Sequence, residues 1–276
     1  MKKSLRILAL LFAFVMVVGV FAACKDDNNT TEKPVLKVGT NPEFPPFEFL
    51  VGNDMDGFDI ALMEALAEKM GMKVQWERMD FKALISAIGS RIDVAIAGMT
   101  VTEERQLEVN FTDTYFEAKQ YVLVAADNDS ITSVEDLNGL KIGVQEGTTG
   151  DFIASDDIEG AVVSRYSKAV MAVQDLMAGN LDAVIIDRNP AMEFESLNAD
   201  KIKIIGEDFF EDEFYAIAVA KNQTELLQKL NDALAEIKAD GTFDALVEKY
   251  IVAETNNETP IDESPSDEAP DETAEE

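Results

Sequence analysis

The sequence has no histidine and only one cysteine, Cys24. Histidine is the commonest general base near neutral pH and the commonest protein ligand of metals, so its absence argues against both kinds of site. A single cysteine can form neither an internal disulfide bond nor a cysteine-rich metal site. We therefore expect no metal and no other cofactor.

Basic residues are also few, with 23 Lys and Arg against 54 Asp and Glu and a formal net charge of −31. A surface of this sign repels phosphate groups and anionic lipid headgroups, so nucleic acid is not an expected partner. Hydrophobic residues make up 47% of the 276 residues. That share and length are typical of a globular chain with one large domain or two smaller ones.

Residues 1–23 are predicted to be a secretory signal peptide. A basic segment, Lys2–Arg6, precedes an uncharged run over residues 7–23. That run is close to the minimum of about 17 residues that can span a bilayer, so a transmembrane helix is the alternative. The run ends in Phe-Ala-Ala-Cys, which resembles a bacterial lipobox. The resemblance implies cleavage before Cys24, palmitate or a similar acyl chain on Cys24, and anchorage at the outer face of the cell membrane.

Two further segments are predicted to lack a folded core. Residues 24–33 are polar and are interpreted as a flexible tether. Residues 253–276 are rich in acidic residues, contain no Lys or Arg, and are predicted to be disordered. A tail that binds cations or cell-wall partners is the alternative for this second segment.

Strands and helices are predicted to alternate in the first part of the body. Apolar residues in Phe58–Met70 recur at the spacing of one helix face, and Gly71 ends that helix. Strand, helix, strand, helix and strand in this order imply a parallel sheet with helices on its faces. The predicted strands are 35–39, 73–77 and 93–97, and the predicted helices are 58–70 and 81–88.

The alternation is repeated in the second part of the body. Strands are predicted at 141–144 and 181–186, with helices from Asp151 and at 169–177. Two β-rich runs, 119–125 and 215–220, flank this second half, and helices at 224–239 and 243–250 follow the second run. The chain would therefore pass twice between two α/β lobes, which predicts a hinge and a ligand cleft between them.

Four segments resemble the polar amino-acid-binding proteins of ABC importers, which are bacterial solute-binding proteins of family 3. They occur in the family's order and the resemblance spans nearly all of residues 34–252. It implies the type II periplasmic-binding-protein fold, with lobe 1 at 34–114 plus 216–252, lobe 2 at 120–210, and hinge segments near 115–119 and 211–215. The segments are GTNPEFPPFEF (39–49), GFDI (57–60), AIAGMTVTEER (95–105) and IGVQEGTTG (142–150).

The resemblance implies that Arg105 holds the ligand carboxylate, with help from the Thr100 hydroxyl. A guanidinium group can make two parallel charge-assisted bonds to a carboxylate. Spacing alone would instead favour a solvated arginine paired with Glu103, Glu104 or Glu108.

The ligand's ammonium group is assigned by the resemblance to Asp187 and to the backbone of Gly98. Asp187 follows a predicted buried strand, where a carboxylate is costly unless it is exposed or paired. Arg188 is the rival partner for this carboxylate, and Gly98 could be no more than a packing glycine.

Thr148 and Thr149 lie where a predicted strand gives way to a helix. Backbone N–H groups at a helix start favour an anion, and the resemblance implies a second contact to the ligand carboxylate here. An ordinary helix cap explains the same residues.

Four more residues match family positions around the ligand side chain. Phe44 and Phe81 are expected to enclose the side chain, although each could equally be a core residue. Asn41 and Gln145 are expected to touch its polar end. Because both are neutral, a polar uncharged ligand such as glutamine is favoured, with arginine or lysine next and cystine also open.

The resemblance therefore implies a monomeric protein that binds a polar amino acid outside the cytoplasmic membrane and delivers it to a membrane permease by lobe closure. One alternative is a ligand-sensing receptor domain with a separate signalling partner. An enzyme on the same fold is a second alternative, and its acid–base group would have to be a carboxylate such as Glu43 or Glu146. We expect a binding protein and not an enzyme.

Overall fold

A computed structural model describes residues 33–252 of the chain. The predicted signal peptide, the lipidation site Cys24, the acidic tail and nearly all of the predicted tether lie outside these residues. All the helices and strands below belong to one unit that begins at Val35. Within residues 33–252, no helix combines the length and apolar character needed to cross a bilayer.

The first sheet has five strands in the order β4-β1-β5-β13-β6. Strand β1 pairs in parallel with β4 and β5, whereas β13 pairs antiparallel with β5 and β6. The predicted parallel core of this sheet is confirmed, and two antiparallel strands extend it. Its strands are β1 (Val35–Thr40), β4 (Lys73–Arg78), β5 (Val94–Ala95), β6 (Val109–Phe111) and β13 (Ala218–Ala220). A separate hairpin joins β2 (Phe49–Val51) to β3 (Asp54–Asp56).

Helices cover this sheet where the apolar spacing predicted them, with one exception. Helix α1 (Phe58–Lys69) ends before Gly71, whose φ of 68° suits glycine. The predicted helix at 81–88 is instead a 3₁₀ turn, Phe81–Ala83, followed by the short α2 (Leu84–Ala87). After α3 (Glu103–Glu108), the remaining helices of this part are α7 (Thr224–Ala239) and α8 (Thr242–Val247), and a π-helical turn, Glu248–Val252, follows α8.

The second sheet has the order β11-β7-β10-β8-β9, and β12 pairs with β7 outside this path. Strand β8 is parallel to β9 and β10, whereas β7 runs antiparallel to β10, β11 and β12. The strands are β7 (Phe116–Ala125), β8 (Lys141–Gln145), β9 (Val162–Tyr166), β10 (Ala183–Asp187), β11 (Ile202–Ile205) and β12 (Asp212–Tyr215). The helices are α4 (Thr149–Phe152), which continues as a π-helical turn, α5 (Ala169–Met177) and α6 (Arg188–Leu197).

The two sheets are joined by the antiparallel pair of β7 and β12. Phe116 lies opposite Tyr215, and Lys119 lies opposite Asp212, with the lysine nitrogen 3.0 Å from a carboxylate oxygen. Beyond β12 the chain enters β13 in the first sheet, so it passes between the sheets twice. The predicted fold, two α/β lobes of the type II arrangement, is confirmed. We keep 34–114 plus 216–252 as proposed lobe 1, 120–210 as proposed lobe 2, and 115–119 and 211–215 as the proposed hinge.

An aromatic cluster packs beside this strand pair. The ring centroid of Phe47 lies 4.8 Å from that of Phe116 and 5.2 Å from that of Tyr215, both in edge-to-face geometry. Phe58 and Tyr115 extend the cluster into the core of lobe 1. Such ring pairs contribute about 0.5–1.5 kcal/mol beyond their buried area. The cluster therefore stabilises the pair of strands, β7 and β12, that joins the two sheets.

Candidate functional site

A cavity lies between the lobes, and the part of it that admits a water-sized sphere is about 10 Å³. That is roughly the room for one water molecule, so the lobes are closed on each other in this structure. All ten residues that are predicted to contact the ligand line this cavity. Glu48 and Ala97, which were not among the predicted site residues, line it as well. Across the described residues, no group of three or more acidic or sulfur-bearing side chains is arranged to hold a metal ion.

Arg105 is the one cation among the residues that line the cavity. It sits in α3, whose N-cap Thr102 accepts a hydrogen bond from the Arg105 backbone N–H at 3.1 Å. The Arg105 side chain is 5% exposed and donates from Nη1 to the Thr100 carbonyl (2.7 Å) and from Nη2 to the Gly147 carbonyl (3.0 Å). The second bond joins lobe 1 to lobe 2.

The charge of Arg105 is directed into the cavity rather than to its helix neighbours. Among the ion pairs of residues 33–252, none joins Arg105 to a glutamate of α3. Burial lowers the pKa of Arg105 to about 10, and the charges of Glu213 and Asp187 oppose that shift. Its carbon Cζ also lies 5.3 Å from the centroid of the Phe81 ring. The group therefore stays charged at neutral pH and faces the ligand space.

The turn after β8 presents Thr148 and Thr149 to the cavity. Thr148 caps α4, because its hydroxyl oxygen accepts from the backbone N–H of Asp151 at 3.3 Å. The same hydroxyl donates to the Gln145 carbonyl at 2.8 Å. Thr148 is thus a helix cap and a cavity residue at once. The hydroxyl of Thr149 donates to the carboxylate of Glu213 at 2.8 Å.

Asp187 lies at the carboxyl end of β10 and is 6% exposed. The Tyr215 hydroxyl donates to it at 2.6 Å. No ion pair of the described chain joins it to Arg188, the rival partner that the sequence offered. Burial and the nearby charge of Glu213 raise the pKa of Asp187 to about 7. A cationic group in the cavity would favour its ionised form.

Gly98 and Glu48 form the floor of the cavity near a buried carboxylate, Asp59. Asp59 accepts from the Gly98 backbone N–H (2.7 Å) and from the Tyr115 hydroxyl (2.8 Å). Gly98 has a φ of 52°, and a β-carbon there would lie 2.9 Å from the Phe44 ring. Glu48 is 1% exposed, and its carboxyl group faces that of Asp59, to which it can donate a hydrogen bond only when it is protonated.

Both of these acids are shifted toward their neutral form. Burial raises the pKa of Asp59 to about 6. Burial, and next the charge of Asp59, raise the pKa of Glu48 well above its usual value. The sequence gives no sign of a buried acid at Glu48, because the alternation Phe-Glu-Phe is typical of a polar residue that faces solvent between two core residues.

The opposite end of the cavity is closed by an amide pair. The Gln145 amide nitrogen donates to the Asn41 side-chain oxygen at 2.9 Å, across the two lobes. Asn41 itself donates to the Met79 carbonyl at 3.1 Å. Phe44 and Phe81 line the cavity as well, and the Phe81 ring lies against the Arg105 guanidinium.

Two ion pairs bridge the lobes at the rim. Lys82 contacts Glu146 at 2.7 Å, and Lys168 contacts Glu43 at 2.5 Å. Glu43 and Glu146 are the acids that the enzyme alternative required. Both are engaged by lysine, and neither is among the residues that line the cavity.

The sequence of this chain is similar to those of known bacterial binding proteins. The sequence model for bacterial extracellular solute-binding proteins, family 3, matches residues 36–253. A probable histidine-binding protein of Campylobacter jejuni is 34% identical over 264 residues, which are 91% of this chain and 99% of that protein. The L-cystine-binding protein TcyJ of Escherichia coli is 32% identical over 231 residues, 82% of this chain and 86% of that one.

A solved structure extends the similarity to three dimensions. It is an ancestral arginine-binding protein bound to arginine, with 46% identity and a TM-score of 0.74. The match covers 79% of this chain and 99% of that one.

Proposed function

The chain belongs to family 3 of the bacterial extracellular solute-binding proteins, and from that membership we propose that it captures one polar amino acid by closing its lobes and delivers it to an ABC importer. The observation that carries the proposal is that one buried cation, Arg105, and one buried acid, Asp187, line the same cavity. An α-amino acid has one carboxylate and one ammonium group, and these two side chains offer the matching charges.

The carboxylate of the ligand would bind Arg105. The guanidinium has five N–H groups, and the Thr100 and Gly147 carbonyls take one each. The remaining N–H groups suit a carboxylate in two-point geometry. Backbone N–H groups at the start of α4, near Thr149, would add partial positive charge on the lobe 2 side.

The ammonium would bind Asp187 in its ionised form, with the Gly98 backbone beside it. The side chain of the ligand would pass between Phe44 and Phe81 toward Asn41 and Gln145. A side chain that ends in a planar nitrogen group, as in glutamine or arginine, fits two amides that can each accept an N–H donor. An acidic side chain is disfavoured because Asp187 lines the cavity and Glu213 lies beside it, while Arg105 is the one cation among the lining residues.

A panel of the twenty amino acids and cystine, tested by thermal shift on the protein without its signal peptide, examines this proposal. Binding to the folded state alone raises stability by about 2.7 kcal/mol at a ligand concentration a hundred times the dissociation constant. We expect glutamine or arginine to raise the midpoint most, and aspartate and glutamate to leave it unchanged. A panel in which no amino acid raises the midpoint would contradict the proposal.

The location of the protein is extracytoplasmic, as the family name states. We further propose that Cys24 carries a lipid such as palmitate, that residues 24–33 tether the domain to the membrane, and that residues 253–276 remain in solvent. The support is the lipobox-like Phe-Ala-Ala-Cys at the end of the uncharged run. Labelling cells with an alkyne-bearing palmitate should mark the protein, and Cys24→Ser should abolish the label.

A further inference from the structure

Glu213 lies beside the cavity and belongs to none of the motifs that indicated the family. It is in β12, one of the two strands that join the lobes. Its oxygen Oε2 accepts hydrogen bonds from the Thr100 hydroxyl at 2.7 Å and from the Thr149 hydroxyl at 2.8 Å. The Gln120 amide, on β7, donates to the same oxygen at 3.3 Å. A single carboxylate oxygen therefore accepts hydrogen bonds from three parts of the molecule.

These contacts join the two lobes through the hinge. Thr100 follows the first sheet, where it forms an isolated bridge with Tyr215, and Thr149 begins α4 of the second lobe. If the lobes move apart about the strand pair, the two hydroxyls separate, and Glu213 has to release at least one of them.

The bonds to Glu213 also determine where the two hydroxyl protons point. A hydroxyl group has one proton to donate. In this arrangement both threonines donate theirs to Glu213, so the ligand carboxylate is left to Arg105 and to backbone N–H groups. Glu213 thus orients two cavity residues without occupying the cavity wall itself.

We propose that Glu213 is a positioning residue that stabilises the closed cleft by bonding Thr100 of lobe 1 and Thr149 of lobe 2 from the hinge strand. This inference rests on the proposed function, because closure matters only for a protein that retains its ligand in the closed form. Bonds that exist only in the closed form slow ligand release and have little effect on ligand entry, which involves the open form.

Glu213→Ala and Glu213→Gln test the proposal, with Glu211→Ala as the matched control. Glu211 is an exposed acid two residues away that makes none of these contacts. Hydrogen bonds to a charged group are among the stronger ones, so we expect Glu213→Ala to release L-arginine or L-glutamine about 10- to 100-fold faster with a similar association rate. Glu213→Gln keeps one acceptor oxygen and should fall between wild type and Glu213→Ala.

A second measurement needs no ligand. Spin labels on one exposed position of each lobe, for example Glu68 and Glu159, report the distance distribution between the lobes in a Cys24→Ser background. Glu213→Ala should shift the ligand-free distribution toward the open form, and Glu211→Ala should not. If the wild type bound no amino acid, the proposed function would fail, and the distances would still test the role of Glu213.

Two results would overturn the inference. In the first, Glu213→Ala matches Glu211→Ala in both release rate and lobe distance. In the second, Glu213→Ala releases ligand more slowly, which would mean that this carboxylate competes with the ligand's. If Glu213→Ala fails to fold, Glu213→Gln decides. A Thr149→Val background adds a check, because the effect of Glu213→Ala should shrink there if the two residues act together.

Discussion

Replacing Arg105 by alanine should weaken amino-acid binding severely while leaving the fold intact. Arg105 is 5% exposed, and its side chain donates to the backbone carbonyls of Thr100 and Gly147 rather than to a carboxylate. Truncating one partner of a buried, hydrogen-bonded charge pair costs about 2–5 kcal/mol of binding free energy. That range corresponds to an affinity loss of about 30-fold to a few thousand-fold.

The stability of the ligand-free protein should change far less. Removing Arg105 leaves the Thr100 and Gly147 carbonyls without this donor, which costs about 1–3 kcal/mol for each group that stays buried. It also removes a buried cation, whose desolvation opposes folding by a comparable amount. Because the two effects have opposite signs, we expect the unfolding midpoint without ligand to move only slightly.

Titration calorimetry with L-arginine and L-glutamine, run beside thermal unfolding, separates these two effects. Arg105→Lys keeps the charge but loses the planar fork, so its affinity should lie between wild type and Arg105→Ala. Arg91→Ala is the control, because Arg91 is an exposed arginine paired with Glu77 at 3.2 Å. An exposed pair of this kind contributes about 0–1 kcal/mol. A folded Arg105→Ala protein with wild-type affinity would refute the assignment.

Three other changes give measurable outcomes. The ligand's ammonium group requires ionised Asp187, whose pKa is raised to about 7 by burial and by the charge of Glu213, so the affinity for the ligand should fall as the pH drops below 7. Calorimetry from pH 5 to 8 should show this fall. Asp187→Asn should bind the ligand weakly at every pH in that range. Gly98→Ala, at a φ of 52° and 2.9 Å from the Phe44 ring, should destabilise the fold by about 1–3 kcal/mol in urea unfolding. Lys82→Ala, which breaks the rim contact to Glu146, should change affinity by at most about fivefold, and the change should vanish at 1 M salt.

Helix prediction from apolar spacing succeeded where the helix packs along its full length and failed where the chain turns toward the cleft. Helix α1, Phe58–Lys69, ends within one residue of its prediction because a regular apolar face covers the first sheet. The predicted helix at 81–88 begins as a 3₁₀ turn and ends at Ala87, because Ile88 adopts an extended conformation and bridges to Ile92, four residues further on. A local turn therefore ends the helix there, and the apolar spacing alone does not reveal it.

Glu213, beside the candidate site, also could not be identified from the sequence alone. Glu213 follows Glu211 and Asp212, and a run of three acids indicates a solvated segment. The pairing of β12 with β7 places Glu213 opposite Ala118 and turns it toward the cleft, whereas the next residue, Phe214, is 44% exposed. A half-buried acid beside an exposed phenylalanine is the reverse of the usual burial of apolar and exposure of charged side chains. Such departures are expected at functional sites, and this one is visible only once the register of β12 and β7 is known.

The charges around the cavity indicate why closure and binding are linked. Asp187 and Glu48 line it, Glu213 lies just behind it, and Arg105 is the single cation among the lining residues. Burial, and next the charge of Glu213, raise the pKa of Asp187, whereas burial and the charge of Asp59 raise the pKa of Glu48. The cavity therefore holds more acidic groups than its one cation can balance. In the proposed binding mode, an amino acid would add an ammonium group beside Asp187 and place its carboxylate beside Arg105. Such a ligand would favour the closed form through the same charges that select it, which is the differential affinity that a population shift requires.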